Sequence, residues 1–173
     1  MSTDENMLDL HLILGGARSG KSRYGESLAA DSAYNVKYVA TARALDHEME
    51  QRIAQHKLER PDHWESIEEP TELHRVISES NNCIILVDCL TLWLMNIMDS
   101  GVAITLAVDN LIDALQSRKT PVILVSNEIT MGVVPMGEMS RQYVDELGRL
   151  HQKIAQQANK VTLMVAGLPL TVK

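Results

Sequence analysis

Residues 15–22 read Gly15-Gly16-Ala17-Arg18-Ser19-Gly20-Lys21-Ser22, a G-x-x-x-x-G-K-S string. Glycines in such a turn let the backbone wrap until successive N–H groups point inward, which makes a concave donor surface for phosphate oxygens. A helix that begins at the lysine aims its positive end at the same place. Lys21 can then reach the outer phosphates of a nucleotide, and the Ser22 hydroxyl is a hard oxygen donor suited to Mg²⁺. The ordinary alternative is a glycine-rich turn with a chance lysine. The apolar run before it, Leu12-Ile13-Leu14, and the helix-like segment after it argue for a phosphate-binding P-loop.

Three further groups could do chemistry. Asp88 directly follows the continuous apolar run Ile84–Val87, where a Walker-B acid ends its strand. It would hold the Mg²⁺ that bridges the β and γ phosphates, directly or through water. Its other reading is an N-cap for a helix starting near Leu90. The stretch 46–64, DHEMEQRIAQHKLERPDHW, puts Met49, Ile53 and His56 on one face if helical, with Arg52 and Lys57 beside His56 and Arg60 one turn on. A neutral imidazole is a competent nucleophile toward phosphorus, and neighbouring cations stabilise the adduct. From the residues alone a polar residue packed under a loop is the plainer reading of the same histidine, and composition does not separate it from His47 or His63. Glu128 ends Ser126-Asn127-Glu128 and precedes a loop, 129–138, holding Gly132, Pro135 and Gly137. That loop reads as a lid or substrate clamp, or as an ordinary connection. Arg18 can meet a substrate phosphate or face solvent.

These groups need a scaffold, and the pattern supplies one. Strands are expected over Leu8–Leu14, Val36–Thr41, Cys83–Val87, Pro121–Val125 and Val161–Ala166. Helices are expected over Lys21–Asp31, Asp46–Glu59, Thr71–Glu79, Leu90–Met98, Thr105–Gln116 and Ser140–Asn159. In the last of these, Val144, Leu147, His151, Ile154 and Ala158 form a core-facing stripe. Alternation of strand and helix implies a mostly parallel sheet covered on both faces, an α/β three-layer sandwich of P-loop NTPase type. Right-handed crossovers bring the strand C-termini to one edge, where ligands bind. The P-loop, Thr41-Ala42-Arg43, Asp88, Ser126-Asn127-Glu128 and Gly167-Leu168-Pro169 should all lie there.

A chain of 173 residues is expected to form one domain, 1–173. Its formal net charge of −7 argues against a general nucleic-acid binder, which needs a basic footprint. The chain contains no phenylalanine, so Leu, Ile, Val, Ala and Met must build the core. Cys83 and Cys89 have no metal-ligand spacing and read as reduced residues of a cytoplasmic protein. The polar Met1–Asn6 is no signal peptide, and no apolar run is long enough to span a membrane. A switch GTPase is disfavoured: Asn127-Glu128-Ile129-Thr130 does not fit N-K-x-D, and Asp88-Cys89-Leu90-Thr91 does not fit D-x-x-G.

Taken in order, the motifs resemble a known family, the bifunctional adenosylcobinamide kinase / adenosylcobinamide-phosphate guanylyltransferases of cobalamin biosynthesis. The resemblance rests on residues 15–22, Tyr38-Val39-Ala40-Thr41-Ala42, Arg52-Ile53 with His56 and Arg60-Pro61, Val87-Asp88-Cys89-Leu90-Thr91-Leu92-Trp93-Leu94, Ser126-Asn127-Glu128, Gly148-Arg149-Leu150 and Ala166-Gly167-Leu168-Pro169-Leu170. It implies an enzyme that phosphorylates the aminopropanol hydroxyl of adenosylcobinamide with ATP or GTP. The enzyme then transfers GMP from GTP to that phosphate, with Mg²⁺ as cofactor. The family pattern R-I-x-x-H-x-x-x-R-P places the covalent GMP carrier on His56. By the same resemblance Gly15, Gly16, Ala17, Arg18, Ser19, Gly20, Lys21 and Ser22 bind phosphates, with Ser22 and Asp88 on the metal. Thr41, Ala42, Arg43, Lys57, Leu58, Glu59 and Arg60 line the nucleotide, and Glu68 and Asp88 complete the site. A homo-oligomer, a trimer in form, is also implied. Trp64 and Trp93 could stack on a base or corrin face, packing being the plainer role. The family's N-E-V-G-M-G is here Asn127-Glu128-Ile129-Thr130-Met131-Gly132, with Thr130 in place of a glycine. A P-loop kinase for another small hydroxyl substrate is the alternative, and a nucleotide-binding subunit without turnover a third reading.

Overall fold

The computed structural model describes residues 9–44 and 47–173, except the side chains of Glu48, Met49, Arg52, His56 and Glu59. Strands and helices alternate: β1 (Leu10–Gly15), α1 (Lys21–Ala30), β2 (Asn35–Ala40), α2 (His47–Glu59), β3 (Glu65–Glu68), α3 (Leu73–Glu79), β4 (Cys83–Asp88), α4 (Leu90–Ser100), α5 (Ile104–Gln116), β5 (Val122–Asn127), α6 (Glu138–Gln157), β6 (Lys160–Val165) and β7 (Leu168–Thr171). They form one seven-stranded sheet in the order β3-β2-β4-β5-β1-β6-β7. All neighbouring pairs are parallel except β6 with β7.

Strand periodicity sorts the core into two layers. Leu10, Leu12, Val39, Ile85, Val87, Val122 and Leu124 face α3, α4, α5 and α6. Ile13, Val36, Tyr38, Ile84, Leu86, Ile123 and Val125 face the other way, where Ala29, Tyr24 and Leu28 of α1 cover them. Because β4 and β5 are buried on both faces, they carry unbroken apolar runs. The three-layer arrangement matches the expectation from the sequence. On α6 the stripe Leu147, His151 and Ile154 is buried, joined by Leu150. The single glycine inside α1, Gly25, lets that helix lie close to the sheet. A Cβ there would stand 3.1 Å from Val125 and 3.2 Å from Leu86.

Two strands depart from the expectation. β3 reads Glu65-Ser66-Ile67-Glu68, an edge strand with no apolar alternation to announce it. Residues Gly167-Leu168-Pro169 do not form an open ligand loop. The chain reverses at Ala166 and Gly167, with φ of 51° and 82°, and returns as the antiparallel edge strand β7. Two consecutive positive φ values make a tight hairpin whose twist suits the flanking strands. The expected strand start at Leu8 and helix start at Asp46 lie outside the described residues.

Among the described residues, two histidines lie in the core. His11 Nε2 is 2.8 Å from Thr162 Oγ1, and His151 Nε2 is 2.8 Å from Ser126 Oγ. Burial lowers both imidazole pKa values; Lys160 adds to the effect at His11, where Asp9 opposes it, and Glu128 opposes it at His151. The folded chain therefore resists protons that the unfolded chain accepts below the ordinary histidine pKa of about 6.5. Stability from this source is complete above about pH 6.5 and declines as pH falls through it. Thermal unfolding from pH 7.5 to 5.5 should show a falling midpoint, and replacing both histidines by glutamine should flatten that slope.

Candidate active site

The phosphate loop is shaped by close approach. A Cβ on Gly15 would lie 2.4 Å from Ser19 Oγ and 3.0 Å from both Cβ and the carbonyl oxygen of Met164, so only glycine fits. Gly20 has φ 88° and ends the loop in the left-handed region just before α1. Ser19 N–H donates to Gly16 O at 3.3 Å, and Tyr24 N–H donates to Gly20 O at 2.9 Å, which closes the first helical turn. Lys21 lies back along the loop, with Nζ donating to Gly16 O at 3.1 Å. Ser19 Oγ is buried without a hydrogen-bond partner, a cost that a phosphate oxygen would relieve. The β6–β7 turn props the loop from behind, because Gly167 N–H donates to Ser19 O at 3.1 Å.

Asp88 stands at the end of β4, and its two oxygens have separate partners. Ser22 Oγ donates to Oδ1 at 3.3 Å and Tyr38 OH donates to Oδ2 at 2.6 Å. Asp88 is not a helix cap: Cys89 occupies that position, with no side-chain capping bond. Burial and then the adjacent Asp88 raise the Tyr38 phenol far above its usual pKa, so it stays a donor. Ser22 and Asp88 oxygens within hydrogen-bond distance are the donor set that Mg²⁺ uses when the remaining positions belong to water and phosphate. The residues present fit the ion.

A second cluster borders the first through Tyr38. The Arg60 guanidinium lies 3.7 Å above the Tyr38 ring, and Trp64 stacks alongside with ring centroids 6.3 Å apart. Lys57 forms an ion pair with Glu68, tying the end of α2 to β3. Four expected nucleotide residues, Lys57, Arg60, Glu68 and Asp88, thus meet along the C-terminal ends of β2, β3 and β4. His56 belongs to α2. Its side chain and that of Glu59 lie outside the described residues. Arg43 and Leu58 are exposed, and Ala42 is half-buried.

Thr41 differs from its expected role. It is fully buried, and its hydroxyl donates to Cys89 O at 2.7 Å while accepting from Cys89 N–H at 3.0 Å. Its side chain knits β2 to β4 and offers nothing to a ligand. Trp64 and Trp93 are buried packing residues, and Trp93 Nε1 donates to Thr71 O at 2.8 Å. Gly167 reaches the site only as a support of the loop. Sequence reasoning assigned no role to Tyr38. The signal was present: a tyrosine inside a doubly covered strand needs a partner for its hydroxyl.

With this geometry in hand, comparison with known proteins is decisive. Residues 11–172 match the CobU family, described as cobinamide kinase / cobinamide phosphate guanyltransferase. The chain belongs to this family. It is 51% identical over 167 residues to the bifunctional adenosylcobalamin biosynthesis protein CobP of Pseudomonas aeruginosa, covering 94% of this chain and 96% of that one. It is 37% identical to CobU of Escherichia coli, covering 94% and 98%. Among solved structures it resembles the flagellar accessory protein FlaH of Methanocaldococcus jannaschii. The TM-score is 0.53 at 16% identity, covering 96% of this chain and 78% of that one. It also resembles an ATPase from the type III secretion system of pathogenic bacteria. There the TM-score is 0.53 at 10% identity, covering 95% and 57%. These two likenesses are of fold, a P-loop NTPase-like sheet with its helices. Among the described residues no helix is long and apolar enough to cross a membrane.

The close approach at Gly15 yields a test. Gly15→Ala must push Ser19 aside and open the phosphate loop. GTP affinity measured by calorimetry should fall more than tenfold, while the circular dichroism spectrum is retained.

Proposed function

We propose that the protein carries out both reactions for which its family is named, at one nucleotide site within a single domain, 1–173. In the first, ATP or GTP phosphorylates the aminopropanol hydroxyl of adenosylcobinamide. In the second, GMP passes from GTP to that phosphate and pyrophosphate leaves, giving adenosylcobinamide-GDP. The observation that carries this reading is the phosphate loop joined to a strand-end acid, Ser22 to Asp88, in a chain that matches bifunctional relatives along nearly its whole length.

Phosphoryl transfer needs positioning and charge neutralisation more than covalent assistance. The amides of residues 15–22 cradle the phosphates, and Lys21 turns from Gly16 O to the outer phosphates. Ser22 and Asp88 hold Mg²⁺, which when bound neutralises phosphate charge. Tyr38 fixes the Asp88 carboxylate so that one oxygen faces the metal position. For the second reaction His56 is the nucleophile. Its ring nitrogen bonds to the α-phosphorus of GTP, the bond to the bridging oxygen breaks, and pyrophosphate departs. The acceptor phosphate then displaces the imidazole. Splitting one displacement into two in this way is the general benefit of covalent catalysis. Arg60, Lys57, Glu59, Leu58, Ala42 and Arg43 border the nucleotide, with Glu68 holding Lys57. By resemblance to its relatives the enzyme is cytoplasmic and a homotrimer.

Intact-protein mass spectrometry after treatment with GTP and Mg²⁺ tests the reading. The chain should gain the mass of one GMP, and His56→Ala should gain none while remaining folded. Adduct formation in His56→Ala would remove that assignment. Absence of an adduct in the wild type, with phosphoryl transfer intact, would favour a kinase alone. Lys21→Ala should weaken both reactions by at least about a hundredfold, since both need the triphosphate held.

A further inference from the structure

One carboxylate at the ligand edge has no part in the steps above. Glu128 stands one residue past β5, the strand between β4, which carries Asp88, and β1, which enters the phosphate loop. Its N–H donates to Gly15 O at 2.9 Å, so its backbone is locked to the first residue of the P-loop. Its side chain is 10% exposed. Oε1 accepts from both the N–H and the hydroxyl of Thr130. Oε2 faces His151 Nδ1 at 3.7 Å, beyond hydrogen-bond distance, and that nitrogen is buried without a partner. Among the described residues no lysine or arginine pairs with Glu128. A buried carboxylate kept for structure is normally neutralised by a cation or saturated with donors. Glu128 instead takes two donors on one oxygen, while its other oxygen faces only the His151 ring, with no hydrogen bond.

A cavity of about 690 Å³ is lined by Met95, Met98, Ile129, Pro135, Met139 and Tyr143, and Glu128 itself is not part of that lining. Ile129 is the next residue after Glu128. The cavity is tied to the Asp88 strand end as well: Tyr143 OH donates to Thr91 O at 2.7 Å, and Asn127 Nδ2 donates to Thr91 Oγ1 at 3.2 Å. The carboxylate and the phosphate loop are therefore tied together at one edge of the sheet, with the apolar cavity beginning at the next residue.

We propose that Glu128 is the proton acceptor for the substrate hydroxyl in the kinase reaction, with Thr130 as its positioning residue. This rests on the kinase half of the function above. The acceptor O–H gives its proton to Glu128 Oε2 as its oxygen bonds to the γ-phosphorus. The bond from that phosphorus to the β–γ bridging oxygen breaks, and the nucleoside diphosphate leaves with the electron pair, its charge met by Lys21. The guanylyl half has no such need, because a neutral imidazole and an already ionised phosphate attack without losing a proton. Thr130 fixes a carboxylate that would otherwise be able to turn.

The test compares the two half-reactions in the full-length protein with adenosylcobinamide, ATP or GTP, and Mg²⁺. Glu128→Gln should lower kcat for phosphoryl transfer by about a hundredfold or more. Its rate of GMP labelling by GTP should stay within about threefold of wild type, matching a general base rather than a structural role. Thr130→Val, which keeps size and removes the hydroxyl, should lower the same kcat severalfold with KM unchanged, and Thr130→Ser should restore it. These variants also decide the question if Glu128→Gln does not fold. Glu128→Gln with undiminished phosphoryl transfer overturns the proposal, as does equal loss in both half-reactions, or Thr130→Val with wild-type kcat. A wild-type enzyme that phosphorylates no corrinoid sinks the functional reading and this proposal together. An active wild type with an equally active Glu128→Gln sinks this proposal alone.

Discussion

The hydrogen-bonded line from Ser22 through Asp88 to Tyr38 is the constraint on which the site depends. It joins the helix after the phosphate loop to the next strand, β2, and to β4, which is far away in sequence. Each link requires the others. Asp88 can present an oxygen to Ser22 because Tyr38 occupies its second oxygen. Tyr38 remains a donor because burial and the adjacent carboxylate suppress its ionisation. The ring of that same tyrosine carries Arg60 on one side and stacks on Trp64, so the Asp88 carboxylate and the Arg60 guanidinium are set by one buried side chain. A single aromatic residue with a polar tip thus orders two chemically different parts of the edge.

Much of this arrangement was legible in the residues. The P-loop announces itself because its glycines answer a steric demand, which at Gly15 is a 2.4 Å conflict with Ser19 Oγ. The buried strands β4 and β5 were visible because double burial forces unbroken apolar runs. The α6 stripe was visible because one helical face must meet the sheet. β3 and β7 were not visible. Both are edge strands whose side chains are mostly exposed, so no hydrophobic period marks them. The Ala166-Gly167 reversal lacks the asparagine that commonly signals such a turn.

Site residues divide along the same line. Asp88 and Lys21 stand out in the sequence because of their positions, after a strand and within a loop, and the fold brings both to one edge. Thr41 looks like a ligand-facing group because it is a polar residue at a strand end, whereas its hydroxyl is bonded to Cys89. The surroundings of Glu128 could not be read at all. They depend on His151 and Ser126, brought together from α6 and β5, and on Thr130 folding back by two residues. Contacts of that kind arise only from the packed fold.

The strand that delivers the phosphate loop lies between β5 and β6, both made from the last third of the chain, and the loop itself rests on the hairpin beyond β6. During synthesis the first strand and its loop leave the ribosome long before any of those neighbours exist. Nucleotide can therefore lend little help to early folding, and the chain must keep an apolar segment out of harmful association until its sheet partners arrive. Closing pairings of such long sequence separation is slow, so β1 and its loop wait longest for the neighbours that complete them.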